Sequence, residues 1–288
     1  MIKSNFINDG NIEVDNLKIL QMRTNKLKFF RNHIHQMADP FLIRYNKNIW
    51  LFFEEKRVGQ KGGIKTLCLT SENKNIQAVD FNLKSGIHMS YPFVFWDEQQ
   101  LFMIPETGEL GEIGLYRCVN FPSSWVKLKS ILKGNFVDSS IYKELGIYYL
   151  FTTEKVFIDG KYDYKLRLFH SKNVVGDFKE HPCSPLKVGR KYGRSGGAVL
   201  KLGDSRFRFS QNCCETYGRE LVQFKITKLN VSEYHEELMS ENWINLNFNH
   251  KFGGHHCSFV ADDENSMFIA VDLNHKVSYF QRFVNKIL

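Results

Sequence analysis

Asp39-Pro-Phe-Leu-Ile-Arg-Tyr-Asn-Lys-Asn-Ile-Trp-Leu-Phe-Phe-Glu-Glu55 is the stretch that decides the fold of this chain. Two short apolar runs, rich in aromatic and aliphatic side chains, flank the turn-forming cluster Tyr45-Asn-Lys-Asn48. This pattern predicts a β-hairpin. Because the two strands of a hairpin run antiparallel, the acidic residues that open and close the stretch are expected at the same end of it.

Four further hairpins of this kind follow along the chain, and in each the opening and closing residues lie 15 or 16 positions apart. They span residues 91–106, 138–154, 195–211 and 256–272. A unit that recurs about every 50 residues indicates a radial array of sheets. A third strand is expected after each hairpin, which gives three or four antiparallel strands per repeat. The repeats therefore predict an all-β fold, a five-bladed β-propeller.

A β-sandwich is the alternative fold, but it would not explain end residues that recur at a fixed spacing. The predicted propeller covers residues 36–288, and residues 1–35 form a lead-in that packs on the propeller or closes it. In the last repeat the third strand is expected at residues 277–283. One short helix is also predicted, at residues 232–239, with Ser232 as its N-cap.

The charge of the chain limits its partners. Net charge is +8, from 39 basic and 31 acidic residues. A basic balance is typical of proteins that bind nucleic acid or acidic lipid. Here the basic residues are spread among acidic ones, and only the segment from Lys18 to Arg31 concentrates them. We therefore predict no nucleic-acid partner. An anionic sugar donor, a phosphate-bearing glycan or peripheral association with an acidic membrane surface would each fit the charge.

Cysteine usage and hydropathy bear on the cellular compartment. The six cysteines include no CxxC pair, and a chain of 288 residues does not depend on a disulfide framework. The first residues lack the apolar run of a signal peptide, and no apolar run approaches the roughly 18 residues of a membrane-spanning helix. We therefore expect a cytoplasmic protein with no transmembrane segment.

No cofactor and no metal is predicted. The glycine pairs Gly62-Gly63 and Gly196-Gly197 lack a phosphate-binding fingerprint. His255-His256-Cys257 resembles a metal-binding sequence, but neighbouring residues of a strand face opposite sides, so a hydrogen-bonding role is favoured for His256. Nothing in the sequence fixes a general base beside Cys213-Cys214, so no nucleophile is assigned there.

Propeller geometry places the candidate site. The first strand of each blade lines the central channel and the second runs back beside it, so the opening and closing residues of all five hairpins are expected at one rim. The pairs are Asp39 with Glu55, Tyr91 with Glu106, Asp138 with Glu154, Ser195 with Gln211, and His256 with Asp272. The neighbours expected to join them are His88, Arg194, Asn212 and His255.

These side chains suit chemistry on sugars. Cleaving or forming a glycosidic bond requires a carboxylate that activates a nucleophile and a proton donor on the opposite face. Crowded carboxylates push one another's pKa values apart, which yields a base and an acid at one pH. The alternative is that an acidic residue at a strand end caps a turn or accepts a backbone N–H. Both interpretations stay open for Glu55, Glu106 and Glu154, whereas a functional role is favoured for Asp39 and Asp138.

Four motifs in combination resemble a known family. They are Ala38-Asp39-Pro40-Phe41, Ser90-Tyr91-Pro92-Phe93-Val94-Phe95, Pro105-Glu106-Thr107 and Phe136-Val137-Asp138. Together they are similar to β-propellers related to glycoside hydrolase family 43, and most of all to the N-terminal-domain family of plant glucosamine inositolphosphorylceramide transferase and its bacterial relatives. The similarity runs from Gln36 to Tyr234. It implies a propeller that acts on carbohydrate.

The resemblance also implies roles for individual residues. Family 43 enzymes use an aspartate base that opens the first blade, matched by Asp39, and an orienting aspartate that opens the third blade, matched by Asp138. Their acid is a glutamate that opens the fourth blade, where this chain has Arg194-Ser195-Gly196-Gly197 and no carboxylate. Either Glu154 or Glu106 supplies the proton, or a nucleotide or phosphate leaving group needs none, or the domain only binds glycan. In the plant transferase, the transfer chemistry is expected in a separate C-terminal domain.

The predicted function is accordingly that of a carbohydrate-active propeller, which hydrolyses or transfers glycosyl groups in cell-surface polysaccharide or glycolipid metabolism. The candidate catalytic residues are Asp39, Asp138, Glu106 and Glu154. The candidate residues for binding a sugar, glycan or sugar-nucleotide substrate are Glu55, His88, Tyr91, Arg194, Gln211, His255, His256 and Asp272. A non-catalytic glycan-binding module is the first alternative, and a scaffold that binds another protein is the second.

Overall fold

The computed structural model describes residues 7–8, 11–12, 17–22, 35–57, 59–71, 75–82, 86–248, 253–261 and 267–273. Nearly all of the secondary structure is β-strand. Four successive antiparallel sheets of four or five strands are followed by a sheet of three strands. Each of the four larger sheets is built from strands that follow one another along the chain, as expected for the blades of a propeller.

The strands are numbered along the chain. Before the first repeat lie β1 (Ile7–Asn8), β2 (Asn11–Ile12) and β3 (Leu17–Met22). Blade 1 contains β4 (His35–Tyr45), β5 (Asn48–Arg57), β6 (Gly63–Cys68) and β7 (Gln77–Ala78). Blade 2 contains β8 (Ser90–Asp97), β9 (Gln100–Glu106), β10 (Glu112–Asn120) and β11 (Ser124–Lys133), with a 3-10 turn at Gly108–Leu110.

Blade 3 contains β12 (Phe136–Glu144), β13 (Ile147–Ile158), β14 (Lys161–Ser171), β15 (Lys179–Glu180) and β16 (Lys187–Val188). Blade 4 contains β17 (Arg194–Ser195), β18 (Leu200–Leu202), β19 (Ser205–Asn212), β20 (Glu220–Leu229) and β21 (Tyr234–Ser240). Helix α1 (Trp243–Phe248) follows. The fifth sheet contains β22 (Cys257–Ala261), β23 (Met267–Asp272) and β3.

The prediction of an all-β propeller is confirmed. The first four repeats form complete blades, whereas the fifth repeat forms the smaller sheet, in which β3 pairs parallel to β23. This sheet lies between blades 4 and 1, because the Cys257 N–H donates to Gly196 O at 3.0 Å and the Leu42 N–H donates to Ser258 Oγ at 3.0 Å. The third strand expected at residues 277–283 lies outside the described residues, and the division at residue 35 stays a prediction.

The helix predicted at residues 232–239 is wrong. These residues mostly belong to β21, which pairs antiparallel with β20 through partners such as Ile226 and Glu236. The polar residues before it form a turn, because Asn230 Oδ1 accepts the N–H groups of both Ser232 and Glu233 at 2.9 Å. Ser232 therefore lies in a strand-to-strand turn, and pairing within the sheet overrides the local preference for a helix.

A β-bulge interrupts the innermost strand at the start of each of the first three blades. The pairing register skips at residues 39–40, 91–92 and 138–139. The opening residues Asp39, Tyr91 and Asp138 have φ angles of 52°, 45° and 51°. This left-handed conformation is uncommon for residues other than glycine, although aspartate tolerates it. The bulge re-aims the opening side chain at the same point of each blade.

The two ends of the channel differ in polarity. Beyond the opening residues, the innermost strands at 41–43, 93–96, 198–200 and 258–260 line a cavity of about 230 Å³ whose walls are mainly apolar. The charged residues lie at the other end, where these strands begin. Among the described residues, no helix has both the length and the apolar character needed to cross a membrane.

Candidate functional site

Side chains near the open ends of the hairpins hold neighbouring sheets together. The Asp39 N–H donates to Asp272 Oδ2 at 3.2 Å, and the Tyr91 N–H donates to Asp39 Oδ2, also at 3.2 Å. The fifth sheet, blade 1 and blade 2 are thereby linked in sequence. Both aspartates thus have the structural role of accepting a backbone N–H, in addition to any chemistry that they perform.

The same arrangement continues around the ring. The Asp138 N–H donates to Glu106 Oε2 at 3.3 Å, which links blade 2 to blade 3. The Ser195 N–H donates to Thr153 Oγ1 at 3.0 Å, which links blade 3 to blade 4. The residues that open the blades therefore converge on one end of the channel, which we term the mouth.

Two clusters of charged side chains lie at the mouth. The first is formed by Asp39, Asp272 and His255, all of them buried. His255 Nε2 lies 3.3 Å from Asp39 Oδ1 and 3.1 Å from Asp272 Oδ2. A protonated imidazole between two carboxylates provides a hydrogen-bonded, charge-compensated group that can persist away from water.

The pKa values of the first cluster follow from these contacts. Burial alone would raise the pKa of Asp39, but the hydrogen bond and positive charge of His255 lower it to about 2. Burial alone would lower the pKa of His255, but the charges of Asp272 and Asp39 raise it to about 9. Burial raises the pKa of Asp272, against the effect of His255. At neutral pH Asp39 is therefore ionised and His255 is protonated.

The geometry of the first cluster also meets the requirements of a cation site. Asp39, His255 and Asp272 each offer one ligand atom, and these atoms lie within 4.8 Å of one another. However, His255 Nε2 is the atom that contacts both carboxylates, and a metal would have to replace its proton. The absence of a metal thus stays a prediction, and the geometry favours an ion pair.

Glu54 lies beside the first cluster and was missed by the sequence analysis. It is buried, and its Oε1 lies 3.7 Å from Nε2 of His88. His88 is oriented by the N–H of Gly62, which donates to Nδ1 at 2.9 Å. Burial, assisted by the negative charge of Asp39, raises the pKa of Glu54 to about 7. Glu54 can therefore both hold and release a proton near neutral pH.

The second cluster is formed by Asp138, Arg194, Gln211 and Glu106. Arg194 donates through Nε to Asp138 Oδ2 at 2.5 Å. Gln211 Nε2 lies 3.4 Å from the same oxygen and donates to Ser195 O at 2.6 Å. These contacts hold the buried Asp138 carboxylate in one orientation.

Glu106 completes the second cluster as a proton carrier. Its Oε2 accepts the N–H of Asp138. Burial and the negative charge of Asp138 raise the pKa of Glu106 well above its usual range, against the opposing effect of Arg194. The pKa values of two carboxyl groups at the mouth, Asp39 and Glu106, are therefore shifted in opposite directions, as expected for crowded carboxylates in different surroundings.

Tyr91 and His256 lie in the core beneath the charged groups. The His256 ring packs edge to face against Phe41 and Tyr91, with centroids 4.5 and 5.1 Å apart. Burial lowers the pKa of His256 to about 4. Within the described residues, neither of its ring nitrogens has a hydrogen-bond partner. The structure therefore places His255, rather than His256, against the carboxylates.

Two glutamates that the sequence predicted at the mouth, Glu55 and Glu154, do not lie there. Glu55 contacts Arg57 and Lys65, at 3.6 and 3.8 Å. Glu154 forms a salt bridge with Arg167, which also pairs with a second glutamate of blade 3. Both glutamates are thus engaged by basic side chains of their own blade.

The register of the hairpins explains this difference. Glu106 pairs with Ser90, the residue before the bulge in blade 2. The corresponding partners in blades 1 and 3 are Glu54 and Thr153. Glu55 and Glu154 are one position further along, and a shift of one residue turns a side chain to the opposite face of the strand. The closing residues predicted from the sequence for blades 1 and 3 were therefore wrong by one position.

Tyr217 is a second residue that the sequence analysis missed. It lies on the connection between β19 and β20, and its ring centroid is 4.8 Å from the Arg194 guanidinium carbon and 4.9 Å from the His255 ring centroid. It thereby contacts both charged clusters. Tyr217 is 49% exposed, yet burial of its hydroxyl group raises the pKa of that group well above its usual range. The ring of Tyr217 therefore packs against charged groups of the mouth while part of the residue faces solvent.

The chain is similar in sequence to several known proteins. The family described as glucosamine inositolphosphorylceramide transferase 1, N-terminal, matches residues 23–255. Glucosamine inositolphosphorylceramide transferase 1 of Arabidopsis thaliana is 34% identical over 203 residues, which cover 69% of this chain and 26% of that protein. The chain therefore spans about a quarter of the length of the curated relatives that it matches.

Solved structures share the fold at low sequence identity. The catalytic domain of the GH62 α-L-arabinofuranosidase of Coprinopsis cinerea has a TM-score of 0.61 and 10% identity, over 91% of this chain and 92% of that chain. Zg3597, a family 117 glycoside hydrolase of Zobellia galactanivorans, has a TM-score of 0.59 and 10% identity, over 87% of each chain. At such identity the likeness shows the fold alone.

Proposed function

The chain belongs to the family of the N-terminal domain of glucosamine inositolphosphorylceramide transferase 1, and from this premise we propose that its channel mouth binds carbohydrate and makes or breaks a glycosidic bond. The observation that carries the proposal is that two carboxyl groups, Asp39 and Glu106, lie at one mouth in surroundings that shift their pKa values in opposite directions. Glycosyl transfer and hydrolysis both require such a pair.

In this proposal Asp39 is the general base. Its low pKa keeps it ionised, and its hydrogen bonds to His255 and to the Tyr91 N–H fix its orientation. Glu106 is the general acid, because its raised pKa favours the protonated form that an acid must have. Glu54 is a second candidate acid, with a pKa of about 7. Glu154 is not favoured for this role, since it pairs with Arg167 away from the mouth.

Asp138 is proposed as the orienting carboxylate. It is buried and receives hydrogen bonds from Arg194 and Gln211. A carboxylate held in this way can position a sugar hydroxyl, and its negative charge raises the pKa of Glu106. Arg194 is already paired with Asp138, so a phosphate or a hydroxyl of the ligand would share its remaining N–H donors.

The names of the relatives favour a glycolipid context. The curated relatives are named for glucosamine and inositolphosphorylceramide, and the solved structures of similar fold include glycoside hydrolases. We propose a sugar, glycan or sugar-nucleotide substrate in cell-surface glycolipid or polysaccharide metabolism. Peripheral contact with acidic membranes stays a proposal, supported by the net charge of +8. A cytoplasmic location also stays a proposal, supported by six cysteines that include no CxxC pair. Sedimentation with vesicles of phosphatidylserine and phosphatidylcholine, compared with phosphatidylcholine alone, tests the membrane contact.

A non-catalytic glycan-binding module is the second candidate function. The observation that favours it is the fourth blade, which opens with Arg194-Ser195 and offers no carboxylate where family 43 enzymes have their acid. Asp39 and Glu106 also accept backbone N–H groups, which gives each a structural role independent of catalysis. In this case the mouth would bind sugar without turning it over.

Turnover of defined substrates separates the two candidates. Nitrophenyl glycosides and uridine-diphosphate sugars are offered to the wild type, to Asp39→Asn and Glu106→Gln, and to Glu55→Gln as the control that lies away from the mouth. We expect the first two variants to lose about 10²–10⁴-fold in kcat/KM and the control to match the wild type. Binding of the same sugars by calorimetry without turnover in any protein would overturn catalysis and favour the binding module.

A further inference from the structure

The connection between β19 and β20 forms a fixed loop beside the mouth. Its first residue is anchored because the Cys213 N–H donates to Arg190 O at 2.8 Å. Its last residue is anchored because the Arg219 N–H donates to Asn212 O at 3.0 Å. Tyr217 lies between these anchors and contacts the mouth. We term residues 213–219 the partition loop.

A polar cavity borders the partition loop. It has a volume of about 220 Å³. Its lining residues are Asn212, Glu215, Arg219, Glu220, Asn242 and Asn245. Amide, carboxylate and guanidinium groups together supply both hydrogen-bond donors and acceptors, with little apolar surface. This is the chemistry that recognises the hydroxyl groups of a sugar ring.

One wall of the polar cavity is held rigidly by Glu220. Its buried carboxylate accepts the N–H of Ile244 at 2.6 Å and that of Asn245 at 3.1 Å, both in the first turn of α1. The Asn242 N–H is in turn bonded to Ser240 Oγ at 3.3 Å. The backbone that carries the two exposed asparagines is thus fixed, while their side chains remain accessible.

The polar cavity and the mouth are neighbours. The chain at Gly253 passes so close to Arg219 that a Cβ at this position would overlap the Arg219 carbonyl oxygen. His255 follows two residues later and belongs to the first cluster. Glu215 and Arg219 of the partition loop line the cavity. Tyr217 of the same loop contacts Arg194 and His255, so the loop borders both the cavity and the mouth.

The size of the polar cavity limits what it can hold. Pockets for drug-sized ligands begin at about 300 Å³, so a cavity of about 220 Å³ suits a single sugar ring. Tyr217, on the loop that borders both the cavity and the mouth, has about half of its surface exposed. An aromatic face of this kind packs well against the C–H face of a sugar ring.

From this arrangement we propose that the partition loop divides one elongated site into two sugar-binding positions, so that the ligand is a chain of at least two sugars. One ring occupies the mouth and the next occupies the polar cavity, with Tyr217 in contact between them. The inference rests on the proposed function, because it specifies the substrate class of the same site.

Calorimetric titration with matched sugars tests the inference. The probes are N-acetylglucosamine against diacetylchitobiose, xylose against xylobiose, and arabinose against arabinobiose. For at least one pair we expect the disaccharide to bind the wild type about tenfold more tightly than the monosaccharide. The double variant Asn242→Ala/Asn245→Ala should lose this advantage and keep its affinity for the monosaccharide. Asn245→Phe, which fills the cavity, should have the same effect.

Tyr217 and a surface asparagine provide the further variants. We expect Tyr217→Ala to weaken binding of both members of the pair about tenfold, and Tyr217→Phe to retain most of the affinity, because the ring is kept. Asn120→Ala, an exposed asparagine of blade 2, is the matched control and should leave every affinity unchanged. Thermal unfolding of each variant verifies that it is folded.

The outcomes separate failure of the inference from failure of the proposed function. The second sugar position is overturned if the wild type binds the monosaccharide and the disaccharide of each pair with equal affinity. It is also overturned if neither cavity variant changes the ratio of these two affinities. In both cases carbohydrate binding stands. If the wild type binds none of the six sugars, the proposed function and the inference that depends on it are both overturned.

Discussion

Arg194 donates through Nε to Asp138 Oδ2 at 2.5 Å, and its guanidinium group lies between the rings of Tyr164 and Tyr217, 5.3 and 4.8 Å from their centroids. The two charged residues open neighbouring blades, so their ion pair joins blade 3 to blade 4 at the mouth. Asp138 is 2% exposed. An ionised carboxylate so far from water depends on this partner.

Removal of the arginine should therefore be costly. We expect Arg194→Met to lower the free energy of unfolding by about 3–5 kcal/mol, because it leaves a buried charge without its partner. Arg167→Met is the matched control, since Arg167 also pairs with carboxylates but at the surface of blade 3, where about 1 kcal/mol or less is expected. Urea denaturation measures both. The double variant Arg194→Met/Asp138→Asn should regain part of the loss. Equal losses for Arg194→Met and Arg167→Met would contradict the interpretation.

Glu54 and Glu55 allow a sharper test, because they are adjacent in sequence and face opposite sides of β5. The folded-state pKa of Glu54 is about 7, raised from 4.5 by burial and by Asp39. The folded protein thus binds this proton more tightly than the unfolded chain does. The contribution of Glu54 to stability is full below about pH 4.5 and is lost as the pH rises through about 7.

Substitution of Glu54 should therefore stabilise the protein in alkaline solution. We expect Glu54→Gln to be about as stable as the wild type at pH 4.5 and more stable by about 1–3 kcal/mol at pH 8. Glu55→Gln, the isosteric control, should change the free energy of unfolding by less than about 1 kcal/mol at both pH values. Chemical denaturation at the two pH values measures the difference. A Glu54→Gln variant that is less stable than the wild type at pH 8 would show that the charge of Glu54 is compensated.

The fold could be predicted from the sequence because it is repeated. A single hairpin such as residues 39–55 fits many folds, but five copies with the same spacing fit few arrangements other than a ring of sheets. The fifth sheet was not predictable in its final form, because β3 pairs with β23 across nearly the whole length of the chain. Such long-range pairing leaves no local pattern in either strand.

The site was predictable in outline but not to the residue. The bulges at Asp39 and Asp138 add a residue to the inner strand, and a count from the wrong end of the bulge selects Glu55 and Glu154 instead of Glu54 and Thr153. Ser90 and Glu106 give the correct offset of 16 positions within the same sequence, so comparison of the three hairpins could have revealed it.

Tyr217 could have been suspected for a different reason. Its loop begins two residues after the closing residue Gln211, and connections at that end of a blade border the channel mouth. Its contacts with Arg194 and His255 depend on how blade 4 meets the fifth sheet. Those contacts are set by tertiary packing, which residue spacing does not encode.

The pKa values of the two neighbouring histidines, His255 and His256, should be shifted in opposite directions. The pKa of His255 is raised from its ordinary value of 6.5 to about 9. The stabilising effect of His255 is therefore full below pH 6.5 and is lost as the pH rises towards 9. The pKa of His256 is lowered to about 4, so its effect on stability is lost as the pH falls from 6.5 towards 4. NMR titration of the imidazole C–H signals, assigned through His255→Asn and His256→Asn, measures both pKa values.

The stability of the same proteins provides an independent measurement. Between pH 6.5 and 9 we expect His255 to account for a loss of about 3 kcal/mol in the wild type, which His255→Asn should not show. The His256→Asn variant should retain this loss and instead flatten the curve on the acid side. Parallel stability curves for His255→Asn and the wild type would contradict the ion pair between His255 and the two aspartates.

Gly253 provides a test of the contact between the fifth sheet and blade 4. Its φ angle is 71°, and a Cβ would overlap the Arg219 carbonyl oxygen. Gly146 has a φ angle of 76° with nothing within 4 Å of such a Cβ, which makes it the matched control. Gly146→Ala should therefore cost about 1 kcal/mol, from the left-handed backbone alone.

Gly253→Ala should cost clearly more, about 3 kcal/mol or above, because the overlap with a backbone atom forces the segment before His255 away from blade 4. Urea denaturation of the two variants measures this difference. Since the same movement would displace His255 from Asp39, Gly253→Ala should also lower the pKa of His255 towards its ordinary value. Equal costs at the two glycines, with an unchanged His255 titration, would show that the segment at Gly253 does not hold the mouth in position.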